Sequence, residues 1–248
     1  MLGPDFIIIG AQRCGTTSMY NYLIQHPQVE PAIQKEVHYF DNNYNKGITW
    51  YLKQFPSKRN GKISGEASPY YIFHPHTPRR IREQFSKIKL IVLLRNPTDR
   101  AFSNYQFEVK LGNEKLSFED ALKNEEVRLE GEVEKILKDE TYYSFNYQHF
   151  SYLKRGMYWE QLKNWFDLFP KEQLFIIRSE DFYKNPKKIT KQVESFLGLS
   201  NEIKQNFKIF NKGEYNEMKK QTRKDLAGFF RVHNEKLYKI INRDMMWT

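Results

Sequence analysis

The sequence predicts an α/β fold in which a central parallel sheet is flanked by helices on both faces. Short runs of β-branched and other apolar residues recur along the chain, and segments with helical spacing of apolar residues lie between them. Runs of this composition are typical of strands that are buried on both faces. At 248 residues the chain is long enough for one sizeable core, so we expect a single domain over residues 1–248.

Four strands are predicted, and helical segments separate them. Three strands are expected at residues 6–9, 89–95 and 174–178, and a further short strand that leads into a loop is expected over residues 62–69. The first helix follows the first strand and ends before His26-Pro27, because the residue before a proline disfavours the helical region. Further helices are expected over residues 48–56, 79–85, from 98 or 99 onward, 117–139, 159–169, 186–197 and 226–241. Residues 31–41 are predicted to be a loop or short strand, and residues 211–223 a basic loop.

Composition limits the classes of partner. The net charge of +10 indicates an anionic partner, which could be nucleic acid, an acidic membrane surface, a sulfated glycan or a nucleotide. Basic and aromatic residues do not interleave as in an RNA- or DNA-binding module, so no nucleic-acid partner is expected. No apolar run approaches the ~20 residues of a transmembrane segment, and a soluble protein is expected. A single cysteine allows no intrachain disulfide and favours a reducing, cytoplasmic location.

A glycine-bounded loop joins the first strand to the first helix. Gly10, Gly15 and Thr17 match the P-loop pattern G-x-x-x-x-G-K-[ST], but Thr16 occupies the lysine position and Arg13 supplies a cation three residues earlier. Loop amides and the helix dipole at such a junction bind phosphate or sulfate groups. The alternative is an ordinary glycine-containing turn between a strand and a helix.

The cysteine lies inside this loop. Cys14 could act as a nucleophile, but at this position it is better explained as a small residue that contributes its backbone amide.

Three motifs together are more specific than the loop alone: residues 12–18 (QRCGTTS), residues 35–41 (KEVHYFD) and residues 94–105 (LRNPTDRAFSNY). This set resembles the sulfotransferases that use 3′-phosphoadenosine 5′-phosphosulfate (PAPS), with the closest likeness to heparan sulfate N-sulfotransferase and 3-O-sulfotransferase domains. Residues 46–51, 65–71 and 156–158 add to the resemblance, which runs from about residue 4 to 199 and more loosely over residues 233–247. It implies transfer of a sulfuryl group from PAPS to an acceptor hydroxyl or amine, with release of adenosine 3′,5′-bisphosphate (PAP). This chemistry needs no metal.

The resemblance also implies a donor site. Its residues for the 5′-phosphosulfate are Arg13, Cys14, Gly15, Thr16, Thr17 and Ser18, and those for the 3′-phosphate are Arg95 and Ser103. A second contact to the 3′-phosphate is expected from Lys219, Lys220 and Arg223, with Tyr215 stacking on adenine. For Arg95 the alternative is a surface ion pair with Asp99.

Catalysis needs a general base for the acceptor. Glu36 matches the residue that has this role in the heparan sulfate group, with His38 close by, and Glu66 is the competing carboxylate. The family generally has lysine where this chain has Arg13, and arginine cannot give up a proton to the leaving phosphate at neutral pH. Heparan members often carry lysine where this chain has Ala67. The acceptor is therefore left open among a small metabolite, a lipid and a glycan.

Two other functions are compatible with parts of the sequence. A P-loop small-molecule kinase is disfavoured by Thr16 in place of lysine and by the lack of an obvious Mg²⁺-binding aspartate after a core strand. A non-catalytic module that binds anionic glycans would tolerate changes at Glu36 and Thr17.

Overall fold

The computed structural model describes residues 2–57, 60–200, 206–207 and 217–247. The chain forms two compact units, one built from residues 1–94 and 166–212 and the other from residues 95–165 and 213–248. The expectation of a single domain over residues 1–248 stays a prediction.

The first unit contains a five-stranded sheet in the order β2-β3-β1-β4-β5, and every neighbouring pair is parallel. The strands are β1 (Phe6–Gly10), β2 (Val29–Pro31), β3 (Ile63–Ala67), β4 (Lys89–Leu94) and β5 (Leu174–Arg178). All five residues of the central strand β1 are buried. The α/β fold with a parallel central sheet flanked by helices is therefore confirmed.

Strand β2 lies at the edge of the sheet and was not among the four predicted strands. Only Val29 is apolar and buried, and Pro31 ends the strand. Proline lacks the N–H of a ladder and is confined to edge positions, which is why this segment did not resemble a core strand.

Glycine is required where β3 passes β1. A Cβ on Gly65 would lie 2.4 Å from the carbonyl oxygen of Phe6 on the neighbouring strand. The next residue, Glu66, is in register with Ile7 of β1.

Eleven α-helices are formed by the described residues. They are α1 (Thr16–Leu23), α2 (Ile48–Leu52), α3 (Thr77–Gln84), α4 (Pro97–Lys110), α5 (Phe118–Leu129), α6 (Glu132–Lys138), α7 (Phe145–His149), α8 (Tyr158–Phe166), α9 (Ser179–Lys184), α10 (Pro186–Leu197) and α11 (Lys220–Ile241). Helix α10 has the predicted bounds, and Gly198 ends it with a φ of 81°. Helices α7 and α9 were not predicted.

The second unit contains helices α4 to α8 and α11. Its core includes Ala101, Phe118, Tyr152 and Phe230. Helix α4 is capped by the Asn96 side chain, which accepts a hydrogen bond from the Thr98 amide, so the helix begins at Pro97 and not at residue 98 or 99 as expected. A proline at the first helical position explains the difference, because its missing N–H costs nothing there.

Helix α11 begins at Lys220, so Lys220 and Arg223 lie in a helix and not in the predicted basic loop. The first residues of α11 are mostly polar or charged. They lack the regular spacing of apolar residues that predicts a helix, so the helix was expected to start later, at residue 226. Among the described ranges, no helix is both long enough and apolar enough to cross a membrane.

Candidate active site

The loop between β1 and α1 has the form of an anion cradle. Gly15 stands before the first residue of α1 with a φ of 96°, and no side chain caps this helix. Arg13 also has a positive φ, of 69°. A positive φ is uncommon for a residue with a side chain and is concentrated at functional sites. The first four amides of a helix have no partner within it, so α1 presents donors to a ligand at this end.

Cys14 is fully buried inside this loop. Its amide donates to the carbonyl oxygen of Ala11 at 3.2 Å, and its own carbonyl accepts a hydrogen bond from the Ser179 hydroxyl at 2.8 Å. The thiol contacts the carbonyl oxygen of Gln12 at 3.6 Å. These contacts fix the shape of the loop, and a thiol without exposure is poorly placed to act as a nucleophile.

Lys35 connects this loop to the segment 35–41. Its ammonium nitrogen Nζ donates to the hydroxyl oxygen of Thr17 at 3.0 Å and also contacts the Glu36 carboxylate. No sequence pattern singles out Lys35, because one lysine in a charged segment resembles many others. The contact to Thr17 is visible only once the chain has folded.

Glu36, His38 and Asp41 form a row of alternating charge. His38 Nδ1 lies 2.7 Å from Asp41 Oδ2, and His38 Nε2 lies 3.3 Å from Glu36 Oε2. Burial opposes charge on the imidazole, but the Asp41 carboxylate and then Glu36 raise the pKa of His38 to about 10. His38 is therefore an imidazolium at neutral pH, and each of its ring nitrogens donates to one carboxylate.

The same row holds Glu36 in its ionised form. Burial raises the pKa of Glu36, but the hydrogen bond from His38 and the charge of Lys35 outweigh burial and lower it below its ordinary value. The side chain of Glu36 is 40% exposed, whereas that of Asp41 is fully buried. Of these two carboxylates, only Glu36 is open to an incoming group.

Glu66 has a different environment, because it is completely buried. Its oxygen Oε1 accepts from the Tyr51 hydroxyl at 2.9 Å and the Tyr71 hydroxyl at 3.0 Å, and Oε2 accepts from the Ser68 hydroxyl at 2.6 Å and the Val37 amide at 3.2 Å. Burial raises the pKa of Glu66 to about 7 although these hydrogen bonds oppose the shift.

The partners of Glu66 also hold the backbone beside Glu36. The Ser68 hydroxyl accepts from the amide of His38 at 3.1 Å. The Tyr71 hydroxyl accepts from the amides of Tyr39 and Phe40 at 2.8 and 3.3 Å. Together with the Val37 amide on Glu66, four consecutive backbone N–H groups are thus bound by side chains, which fixes a segment that includes a positive φ of 51° at His38.

The candidates for the 3′-phosphate lie in the second unit. Arg95 is half-buried, and its carbonyl oxygen accepts from the Tyr158 hydroxyl at 3.0 Å. Ser103 is buried on α4. Asp99 pairs with Arg223 at 2.8 Å. The alternative considered above paired this carboxylate with Arg95.

The remaining donor candidates surround the start of α11. Lys219 pairs with Glu119 at 3.0 Å, and the same carboxylate accepts from the Thr222 hydroxyl at 2.7 Å. Lys220 is exposed at the first residue of the helix. Tyr215 lies outside the described residues. The first unit therefore brings together the loop 13–18, Glu36, His38 and Glu66, and the second unit contains the other described candidates.

Comparison with known proteins decides the family. A model of the sulfotransferase domain matches residues 3–238. The chain belongs to the sulfotransferase family. The expectation of a sulfotransferase that takes its sulfuryl group from PAPS is thereby confirmed, and the comparisons do not identify its acceptor.

Individual relatives extend this finding. This sulfotransferase is 31% identical to the membrane-associated sulfotransferase kil1 of Dictyostelium discoideum and 31% identical to human heparan sulfate glucosamine 3-O-sulfotransferase 5. Both matches cover 98% of this chain, which spans 66% and 74% of the length of these relatives. The crystal structure of a sulfotransferase from Alicyclobacillus acidocaldarius is 31% identical, with a TM-score of 0.80 and 98% of each chain covered.

Proposed function

We propose that this sulfotransferase uses Glu36 as the general base that takes the proton from an acceptor hydroxyl or amine. One observation carries the proposal: a continuous row of contacts leads from Thr17 at the start of α1 through Lys35 and Glu36 to His38. The row places an ionised, partly exposed carboxylate beside the anion cradle.

The cradle has the chemistry that the donor requires. PAPS supplies an electrophilic sulfuryl group attached to a phosphate. The uncapped first turn of α1 offers backbone N–H groups, and the side chains of Arg13, Thr16 and Thr17 add a cation and two hydroxyls. We assign the 5′-phosphosulfate to residues 13–18. Arg95 and Ser103 remain our assignment for the 3′-phosphate.

Accessibility favours Glu36 over Glu66 as the base. Glu36 has a lowered pKa, so it is ionised at neutral pH, and its side chain is 40% exposed and open to an incoming acceptor. Glu66 is buried, and four hydrogen bonds already occupy its oxygens. We therefore assign Glu66 a positioning role, in which it and its partners hold the backbone of residues 37–40.

The proposed step balances without a metal or a redox partner. A bond forms between the acceptor oxygen or nitrogen and sulfur, and the bond between sulfur and the phosphate oxygen breaks. The acceptor proton passes to Glu36, and the bond electrons leave with PAP. His38 stays protonated throughout and keeps Glu36 oriented, because Asp41 binds its other ring nitrogen.

The acceptor is a hydroxyl or amine of a glycan, a lipid or a small metabolite. A glycan hydroxyl is the first class to test, because the human relative is named for the 3-O position of glucosamine in heparan sulfate. The cytoplasmic location expected from the composition stays a prediction.

Two measurements test the proposal. Thermal unfolding with PAP should show stabilisation, and ligand at a hundred times its dissociation constant adds about 2.7 kcal/mol. Stabilisation by ATP with Mg²⁺ and not by PAP would favour a kinase. Incubation with ³⁵S-labelled PAPS and a panel of desulfated heparan, simple phenols and amines should then label one acceptor class. Binding of heparan without binding of PAP would favour a glycan-binding module.

A further inference from the structure

The side chain of Lys35 lies between the two parts of the proposed reaction centre. Its Nζ atom contacts Thr17, which we assign to the donor, and Glu36, which we assign to the acceptor proton. The inference developed here rests on the proposed function, because both neighbours take their roles from it.

The backbone of Lys35 is fixed, while its side chain stays partly open. The Ala67 amide at the end of β3 donates to the Lys35 carbonyl oxygen at 3.0 Å. The side chain of Lys35 is 24% exposed. An anchored backbone with a half-buried ammonium group keeps the charge in place and still lets a ligand reach it.

The ammonium group has one donor more than the protein uses. A lysine carries three N–H bonds, and within the described part of the chain Nζ contacts two acceptors, Thr17 Oγ1 and Glu36 Oε1. One N–H is left for an acceptor that is not part of these residues. An anion oxygen bound by the Thr17 hydroxyl would be its immediate neighbour.

The local charges also favour an anionic ligand at this position. Glu36 and Asp41 contribute two negative charges, and His38 and Lys35 contribute two positive ones. Without Lys35 the cluster would carry a net negative charge beside the site of a phosphosulfate. Like charges at such short range oppose binding and oppose the charge that develops during transfer.

We propose that Lys35 is a further catalytic residue, whose ammonium group donates a hydrogen bond to an oxygen of the sulfuryl group of the donor. The contact is made to the group that is transferred. PAP lacks that group and cannot make the contact.

The difference between PAPS and PAP provides the test. Dissociation constants of both nucleotides are measured by titration calorimetry for the wild type and for Lys35→Met, without an acceptor. A hydrogen bond to a charged group contributes about 1.5–3 kcal/mol, which corresponds to a tenfold to hundredfold change in affinity. We expect Lys35→Met to lose at least tenfold in affinity for PAPS and less than threefold for PAP.

Two variants control for charge and for folding. Lys35→Arg keeps a cation and should retain part of the preference for PAPS. Lys62→Met removes an exposed lysine of the same unit, which pairs with Glu30 at 3.6 Å, and should leave both affinities unchanged. Lys35→Arg also keeps the experiment decisive if Lys35→Met does not fold.

The outcomes separate this inference from the proposed function. An equal loss for PAPS and PAP in Lys35→Met would show that Lys35 only shapes the cradle, and unchanged affinities would remove it from the site. Either result overturns the role of Lys35 and leaves the donor site in place. A wild-type protein that binds neither nucleotide would overturn the proposed function itself.

Discussion

His38 and the buried Asp41 form an ion pair in which Nδ1 lies 2.7 Å from Oδ2, and this pair keeps the imidazole charged well above neutral pH. The charge in turn lowers the pKa of Glu36. The basicity and the orientation of the proposed base are thus set by a carboxylate that is itself shielded from solvent.

This pair makes stability depend on pH. The folded state raises the pKa of His38 from 6.5 to about 10, so the folded protein binds this proton more tightly than the unfolded chain does. The contribution is complete below pH 6.5 and is lost as the pH rises through 10. Asp41→Asn should lower the pKa of His38 and flatten the fall in melting temperature between pH 7 and 10. Asp139→Asn, an exposed control, should keep the wild-type slope, and an equal slope in Asp41→Asn would contradict the role of the pair.

Removal of the base should stop transfer and leave donor binding intact. Glu36→Gln keeps the size of the side chain but cannot take a proton, and loss of general-base catalysis typically costs 10²–10⁴-fold in rate. Transfer from labelled PAPS and thermal stabilisation by PAP are the two readouts. Glu30→Gln on the edge strand β2 is the matched control. Near-normal transfer by Glu36→Gln would require another base.

The buried carboxylate of Glu66 should matter more for stability. In Glu66→Ala four donors lose their partner, and each buried donor without a partner costs about 1–3 kcal/mol. We expect a loss of at least about 3 kcal/mol in urea unfolding. The control Glu83→Ala removes an exposed ion pair with Arg79, which should cost less than about 1 kcal/mol.

Glu66 also makes stability depend on pH. The sign of this dependence is opposite to that of a carboxylate whose pKa is lowered by folding. Burial raises the pKa of Glu66 from 4.5 to about 7, so its proton is bound more tightly in the folded state. This contribution is complete below pH 4.5 and is lost as the pH rises through 7. Glu66→Gln should therefore reduce the decline in stability between pH 5 and 7.5, and an unchanged decline would assign it to other groups.

Arg95 tests the assignment of the 3′-phosphate. Arg95→Ala should lose most of the thermal stabilisation by PAP, because a guanidinium makes strong, charge-assisted hydrogen bonds to phosphate. Arg79→Ala, on the exposed face of α3, should respond to PAP like the wild type. A full response of Arg95→Ala would place the 3′-phosphate elsewhere.

Local packing can be tested at one glycine in the sheet and one in α11, with opposite expected outcomes. Gly65→Ala forces a Cβ against the Phe6 carbonyl oxygen, and overpacking of this kind costs about 1–3 kcal/mol or more. Gly228 lies inside α11, where a Cβ would meet open space outside the backbone of its own helix, so Gly228→Ala should stabilise the helix by up to about 1 kcal/mol. Both free energies follow from denaturant unfolding, and destabilisation by Gly228→Ala would contradict the open surroundings.

Local patterns were sufficient for strands β1, β3, β4 and β5 and for the loop after β1. The apolar run before Gly10 and the helical spacing after Thr16 are properties of neighbouring residues, and such properties are visible in a sequence. The edge strand β2 escaped detection because Pro31 and a single buried apolar side chain do not form a pattern.

The site was predictable only in part, for a related reason. Glu36 and His38 follow from a motif, but the partners of Glu66 come from separate elements. Tyr51 lies on α2, and Tyr71 follows β3. Their meeting at one carboxylate depends on tertiary packing that no spacing reveals. Lys35 was not predicted as a site residue for the same reason. Its contact to Thr17 joins residues 18 positions apart.

The burial of Cys14 has a practical consequence. It is the sole cysteine of the chain, and its thiol is shielded from solvent. A cysteine introduced on an exposed surface would then be the one position that maleimide dyes modify under native conditions. Fluorescent reporters of ligand binding can be attached in this way with the native loop left intact.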